Sequence, residues 1–422
     1  MKRASNQQRV RVIGAGMAGL SAAVELAREG LATTLVDGAA QAGGRCRSYH
    51  DPQLGRTIDN GNHLVLSGNK AVHRYLDTIG ASDRLSGPPH ADFAFAEITT
   101  GARWSVRIND GPVPWWICRD GRRVPGTTVR DYLRLAGLSG GKPGQVVADR
   151  VDPSGPVWDK LIDPVLLAAL NTASATGSAM LTSRVIRETL GRGGRAMRPQ
   201  IAEPTLAAAF VDPALAWLAG KGTTLALGTR LRAIHAEGDR VVGLDFGRGV
   251  ESVEADETII LAVPPWVAGD LLPGLTVPND FRAIVNAHFA IAPPAGVQTM
   301  VGVLGGTAEW IFAFPDRISI TVSAADHLVD RDRTELARAF WSDIRAVHGG
   351  PAEMPAWQIV KEKRATFAAT PEQDARRPDA QTRWRNLFLA GDWTQTGLPA
   401  TIEGAIRSGE VAARLARTSG LG

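Results

Sequence analysis

The stretch Val10-Arg-Val-Ile-Gly14-Ala-Gly16-Met-Ala-Gly19-Leu decides how this chain is read. Val10 to Ile13 reads as a short buried strand. Met17 to Arg28 reads as a helix with Leu20, Val24 and Ala27 on one face and Gly30 as its stop. Three glycines occupy the strand-to-helix turn: Gly14 allows the tight turn, Gly16 lets phosphate oxygens approach backbone N–H groups, and Gly19 lets the helix pack on the strand. Thr33 to Val36 is the next strand, and Asp37 ends it where a carboxylate accepts hydrogen bonds from an adenosine ribose. The right-handed crossover makes the two strands parallel. The expected ligand is a dinucleotide, with its pyrophosphate at Gly14, Gly16, Met17, Ala18 and Gly19.

Composition agrees with a large globular protein. The 422 residues are 44% hydrophobic and 21% charged, enough for two or three domains or for one domain interrupted by another. The 46 glycines follow no fixed period, so collagen-like and repeat architectures are excluded. Forty-seven basic against 43 acidic side chains, with no long run of like charge, do not suggest a nucleic-acid partner, while the mild excess would favour anionic lipid headgroups. Cys46 and Cys118 are too few for a disulfide scaffold and lack zinc spacing, so a reducing compartment and no metal are expected. Met1-Lys-Arg followed by the apolar run from Val10 to Leu26 imitates a signal peptide, but the three glycines and Glu25, Arg28 and Glu29 argue against one. The uncharged stretch Ala283 to Ala308 contains Pro293-Pro294 and is not expected to span a membrane.

Past Ala91 the sequence becomes irregular and rich in Trp and Pro, then apolar and helical from Leu161 to Leu190, which reads as an inserted domain. Dinucleotide-fold texture returns with a helix from Leu206 to Leu218 interrupted by Pro213. Strands are expected at Thr229 to Ile234, Val241 to Phe246 and Glu257 to Val263. Alternating strands from Ala283 to Val322 and a helix from Arg331 to His348 follow. The chain closes with a strand Asn386 to Ala390, a Gly391-Asp392 turn and a helix from Thr401 to Arg417.

The glycine pattern alone does not separate NAD from FAD. Gly43-Gly44-Arg45 would place two small residues and a guanidinium near the pyrophosphate, although a glycine turn with a solvated Arg reads equally well. Gly391-Asp392 presents a carboxylate at a strand end, as the ribityl chain of FAD would need. The helix starting at Thr401 and Ile402 would point its positive end at the flavin pyrimidine edge, where reduced flavin carries negative charge.

Together with Asp59-Asn-Gly61-Asn-His63 and Val263-Pro-Pro265, these features resemble the flavin amine oxidase and carotenoid desaturase superfamily. Within it the chain is similar to the squalene-associated FAD-dependent desaturases, the hydroxysqualene dehydroxylases of hopanoid biosynthesis. That resemblance is carried by Asp59-Asn-Gly-Asn-His-Leu-Val-Leu66, Arg122-Arg-Val-Pro-Gly-Thr127, Leu167-Ala-Ala-Leu-Asn171-Thr172, Phe210-Val-Asp-Pro-Ala-Leu-Ala-Trp217-Leu218 and Gly391-Asp-Trp-Thr-Gln-Thr-Gly-Leu-Pro-Ala-Thr-Ile-Glu-Gly-Ala-Ile406. Asp37 stands where the superfamily more often has Glu, and Asn62 where Gln is expected. The fold implied is α/β: a discontinuous Rossmann-like FAD domain (residues 9–85, 205–268 and 384–418) with an inserted α+β substrate domain (residues 86–204 and 269–383), flavin amine oxidase-like. Asn60, Gly61, Asn62, His63, Leu231 and Val263 join the FAD contacts on the same ground.

The reaction implied is removal of the allylic hydroxyl of hydroxysqualene by reduced FAD, giving squalene and water. It requires an acid, a hydride and a dry site. His63, Asp59 and Glu403 are the candidate acids, against plainer roles as a buried histidine, a turn residue and a first-turn helix charge. Asn171 and Trp393 are candidate substrate contacts. Trp158, Leu161, Ile162, Val165, Leu166 and Leu170, with Phe210, Leu215, Trp217 and Leu218, are candidates to line an apolar tunnel, though each stripe is also ordinary core. An amine oxidase is disfavoured because no Lys falls between Lys221 and Lys361 and all three tyrosines, Tyr49, Tyr75 and Tyr132, lie in the first third. The partners expected are the isoprenoid, an external electron donor and the inner face of the cell membrane, touched peripherally from the cytoplasm. An oxidative desaturase or isomerase of a carotenoid precursor such as phytoene, and a non-catalytic FAD-containing lipid-binding protein, stay open.

Overall fold

In a computed structural model, which describes residues 8–419, the glycine-rich unit forms the middle of a five-stranded parallel sheet. Met1 to Arg3, the charged start of the signal-peptide-like segment, lie outside the described residues. The strand order is Thr224–Ala226, Ala32–Val36, Arg9–Ile13, Glu257–Leu261 and Leu387–Leu389, so the sheet draws on the beginning, middle and end of the chain. Every residue of Glu257–Leu261 is buried, which explains its continuous rather than alternating apolar run. The Met17–Arg28 helix lies on this sheet against the last helix, Ile402–Ser419. Small residues permit that contact: a methyl group at Gly409 would stand 2.3 Å from the Ala18 carbonyl oxygen, and Ser21 Oγ donates to the Ile406 carbonyl at 2.9 Å.

A second sheet of seven strands has the order Trp357–Phe367, Phe281–Phe289, Arg317–Val322, Trp310–Phe314, Met300–Leu304, Ala91–Glu97 and Ala102–Ile108. All pairs are antiparallel except Met300–Leu304 with Ala91–Glu97. Successive side chains alternate between faces. One face (Val285, Ala287, Ile318, Ile320, Ile311, Val301) packs against the Arg333–His348 helix. On the other, cross-strand partners form rows: Asn286, Thr321, Trp310, Gly302, Phe95 and Trp104 in one, and His288, Ser319 and Phe312 beside it with Met300 next in line. Each row is polar at one end and apolar at the other.

Helices cover this second face. The stretch expected to be helical from Leu161 to Leu190 is broken at Asn171, whose φ of +48° ends the Asp163–Leu170 helix, before Ala179–Glu188 begins. Pro213 does not interrupt the Leu206 helix: a wide turn at Ala207–Val211 passes into Asp212–Gly220 with the proline in its first turn, where no N–H is required. The strand expected from Thr229 begins only at Ala233, because Thr229 N–H donates to the Asp37 carbonyl at 2.8 Å and Arg232 N–H to the Asp245 carbonyl at 2.7 Å. A small sheet joins the two halves: Pro199–Ala202 lies between Leu64–Leu66 and Leu85–Ser86.

Candidate functional site

At the end of strand Arg9–Ile13, Gly14 has φ +111°, and a methyl group there would come within 2.3 Å of the Ala262 carbonyl oxygen. At Gly19 a methyl would meet the Gly14 carbonyl oxygen at 1.7 Å, so strand and helix touch through bare backbone. Gly16 differs, since nothing stands within 4 Å of the position a methyl would take. It caps the first helix without a side-chain hydrogen bond, and the first turn holds no acid. The opening N–H groups therefore face an open space suited to a pyrophosphate. Gly16 pairs with Gly43, whose N–H donates to the Ala15 carbonyl at 2.8 Å, and Gly44 packs within van der Waals reach of Gly16 Cα.

The flanks extend this cradle in both directions. Asp37 accepts the Ala15 and Ala39 N–H groups at 2.6 and 2.7 Å, which locks the acid beside the turn while each oxygen keeps a lone pair for a ribose. Leu231 is buried in the extended stretch next to Asp37. Val263 adjoins Gly14. Arg45 donates to Asp392 at 2.6 Å and to the Ala365 carbonyl, joining residues 347 apart in sequence. Thr401 caps the last helix by accepting Gly404 N–H on Oγ at 3.0 Å. The N–H groups of Ile402 and Glu403 are left without a partner among the described residues. These features fit a bound FAD: two open helix N-termini, one for its pyrophosphate and one for the negative edge of its reduced flavin, a fixed acid, and a cradle that side chains would fill.

The segment Asp59 to His63 lies on the polar end of the second sheet. Asn286 Nδ2 donates to the Asn60 carbonyl at 3.3 Å and would stand 3.0 Å from a methyl on Gly61. Asn62 Nδ2 donates to Thr321 Oγ1 at 3.1 Å, while its Oδ1 is buried without a partner among the described residues. His288 is fully buried, with Nε2 3.0 Å from the Asp59 carbonyl and Nδ1 2.8 Å from Ser319 Oγ. Burial, then the Arg317 charge, pushes its pKa down to about 3. The imidazole is neutral, with its proton on Nε2.

The three candidate acids fare differently from expectation. Asp59 accepts Ser48 Oγ at 2.6 Å and Leu206 N–H at 2.8 Å, and lies 3.5 Å from Arg317. It caps the Leu206 helix and has no free face for a substrate. Glu403 accepts Ala71 and Val72 N–H at 3.1 and 2.9 Å and pairs with Arg407 at 2.7 Å, so it caps the Lys70–Ile79 helix instead of serving as an acid. His63 is partly open, but burial and then the Arg45 charge push its pKa down to about 4, leaving few imidazolium ions at neutral pH.

Other candidates also prove structural. Asn171 spends its amide on the Thr366 hydroxyl and the Ala324 N–H, at 2.9 and 2.6 Å. Trp393 is 2% exposed and donates to the Val263 carbonyl at 2.9 Å, so it is core beneath the cradle and not a substrate wall. Phe210 and Leu218 are buried in the core under the first helix, with Leu215 and Trp217 packed against it, which removes them from any tunnel. Trp158, Leu166 and Leu170 belong to the core beside Trp393. Only Leu161, Ile162 and Val165 reach the apolar end of the second sheet. Tyr75 and Tyr132 are committed to the Phe210 carbonyl and the Val124 N–H.

Two features escaped sequence reading. The polar row under Asp59 to His63 was signalled by Asn286 and His288 at alternate places in an otherwise apolar strand. Glu309 carries a carboxyl that burial, with Asp163 nearby, pushes up to about 7, and it accepts Ser323 N–H at 2.7 Å, next to Trp310 on the apolar row. A lone Glu in a Gly-rich turn gave no sign of this.

A family profile described as flavin containing amine oxidoreductase matches residues 17–416. A hydroxysqualene dehydroxylase from Rhodopseudomonas palustris is 51% identical over 412 residues, covering 97% of this chain and 99% of that protein. A hydroxysqualene dehydroxylase from Sinorhizobium fredii is 48% identical, covering 96% and 98%. Among solved structures, an oxidoreductase from Methanosarcina mazei superposes with a TM-score of 0.71 at 15% identity, over 96% of this chain and 99% of that one, a likeness of fold.

Proposed function

This chain belongs to the flavin containing amine oxidoreductases and uses FAD, and we propose that it acts as a hydroxysqualene dehydroxylase, replacing the allylic hydroxyl of hydroxysqualene by hydrogen to give squalene and water. The observation that carries this reading beyond the relatives' names is the second face of the seven-stranded sheet. Its polar end holds the Asn60 to His63 segment, and its rows continue as the buried side chains Trp310, Phe312, Met300, Phe95 and Trp104, an apolar layer that a long hydrocarbon would enter by displacing the covering residues Trp116, Ile117 and Val124.

Bound FAD in its reduced form supplies the hydride. The chain supplies the rest. Gly14, Gly16, Met17, Ala18 and Gly19 would hold the pyrophosphate and Asp37 the ribose, with Gly43, Gly44, Leu231 and Val263 shaping the cleft. The Arg45–Asp392 pair would hold the ribityl and phosphate linkage, and the N–H groups of Ile402 and Glu403 would stabilise the negative charge of the reduced flavin. Asn60, Gly61, Asn62 and His63 would form the wall between cofactor and substrate. The hydroxyl departs as water by gaining a proton, and the allylic cation left behind accepts the hydride in surroundings from which the apolar layer excludes water. Neutral His63 orients the hydroxyl by hydrogen bonding.

The reading includes an external electron donor, because each turnover consumes a hydride. It also includes a peripheral position on the cytoplasmic face of the cell membrane, where the substrate resides. No helix among the described residues is long and apolar enough to cross a membrane. Product analysis after anaerobic incubation of photoreduced protein with hydroxysqualene tests the activity. Squalene is the expected product. No squalene, with phytoene desaturated by the oxidised protein, would assign the chain to oxidative desaturation.

A further inference from the structure

Seven large apolar side chains are exposed among the described residues, and three of them, Val113 (52%), Trp115 (66%) and Leu133 (62%), fall in one short stretch. The elements that carry them adjoin, because the turn Trp115–Cys118 packs on the helix Val129–Leu133 through the edge-on contact of Trp116 with Tyr132, 5.1 Å between ring centres. The tip is built rather than loose. Asn109 Nδ2 donates to the Val113 carbonyl at 2.9 Å and its Oδ1 accepts Trp116 N–H at 3.1 Å. Gly193 and Gly194 pack directly under the backbone of residues 108–111. A tryptophan held out into water on a hydrogen-bonded turn, with two further apolar side chains on the same segment, signals an absent partner.

The charge around the tip names that partner. Between Gly111 and Leu135 there are five arginines against two aspartates and no other charged side chain. Asp120 is paired with Arg123 and Asp131 caps its own helix, which leaves Arg119, Arg130 and Arg134 exposed and in no ion pair among the described residues. Apolar tips among unpaired arginines match the interface of an anionic bilayer. The inner side of the same segment, Trp116, Ile117 and Val124, covers the apolar layer of the second sheet.

We propose that residues 112–134 dock this protein on an anionic phospholipid bilayer, with Val113, Trp115 and Leu133 inserted and the arginines at the headgroups, and that the isoprenoid passes under this segment to reach the apolar layer. The passage rests on the substrate class proposed above; the docking does not.

The test is flotation of the full-length, FAD-loaded protein with vesicles of phosphatidylcholine alone or mixed with phosphatidylglycerol. Binding is expected to the anionic vesicles, weakened by high salt. It should fall about tenfold or more in the triple variant Val113→Ser, Trp115→Ser, Leu133→Ser and likewise in Arg119→Glu, Arg134→Glu. Flavin content and turnover of detergent-dispersed substrate should stay at the parent level, while turnover of vesicle-borne substrate falls with binding. Failure of the parent to bind anionic vesicles, or unchanged binding of the triple variant, overturns the proposal. So does a dimer that the triple substitution converts to monomer without any vesicle binding, since the patch then serves a second copy of the chain. Vesicle binding through the patch in a protein that does not turn over hydroxysqualene would leave the docking surface standing and remove the proposed activity.

Discussion

Replacing His288 by Gln probes the joint between the cofactor-facing segment and the second sheet. His288 is 0% exposed and neutral, donating from Nε2 to the Asp59 carbonyl and accepting from Ser319. Burial holds its pKa in the folded protein down to about 3, far below the ordinary histidine value of 6.5. The unfolded chain therefore binds more protons between those values, so stability contributed above pH 6.5 is lost as pH falls towards 3. At pH 5, about 1.5 units below the unfolded pKa, the loss is about 2 kcal/mol at roughly 1.36 kcal/mol per unit. For a chain of this length unfolding as one unit, an entropy of about 2.1 cal/mol/K per residue turns that into roughly 2 °C of Tm. Gln can replace both hydrogen bonds and does not titrate, so Tm measured by flavin fluorescence from pH 7.5 to 5 should fall less steeply in His288→Gln by about that amount. His63 and His348, each held down to about 4, are present in both proteins and cancel in the difference. Parallel curves would refute a buried neutral histidine at this joint.

Three further outcomes follow from the geometry. Gly14→Ala places a methyl 2.3 Å from the Ala262 carbonyl oxygen on a φ of +111°, so any protein recovered should lack flavin absorbance; a variant with full flavin content would show that the turn is not as described. Glu403→Gln should lower stability by about 2 kcal/mol through the lost charged cap on Ala71 and Val72, yet retain squalene formation. A variant as stable as the parent but inactive would return Glu403 to the chemistry. Glu309→Gln asks whether the buried carboxyl held up to about 7 supplies the proton with which the hydroxyl leaves: turnover should slow about tenfold or more and the pH–rate arm near 7 flatten, and an unchanged profile would exclude this carboxyl as the proton source.

Local geometry was legible in the sequence and remote partners were not. The glycine turn and the bounds of the Met17–Arg28 helix follow from spacing and periodicity, because one strand, one turn and one helix determine them. Glu403 looked available because the N–H groups it caps, at Ala71 and Val72, lie more than 300 residues away. Asn171 looked like a polar substrate contact, whereas a short amide that tolerates left-handed backbone also makes a helix stop, and only the fold decides between them. The apolar stripe of Phe210 and Leu218 carried no mark of which core it faces. The cross-strand row from Asn286 to Trp104 depends on register among strands far apart in sequence, so neither its polar end nor its apolar continuation could be assembled from periodicity.

The central claim is that reduced FAD in this protein delivers its hydride to an allylic alcohol. Stopped-flow mixing of the anaerobic, reduced holoenzyme with hydroxysqualene measures this directly, with squalene quantified in the same samples. The account predicts flavin reoxidation without oxygen, one squalene formed per flavin oxidised. Flavin that stays reduced in the presence of hydroxysqualene, or reoxidises without forming squalene, would contradict it.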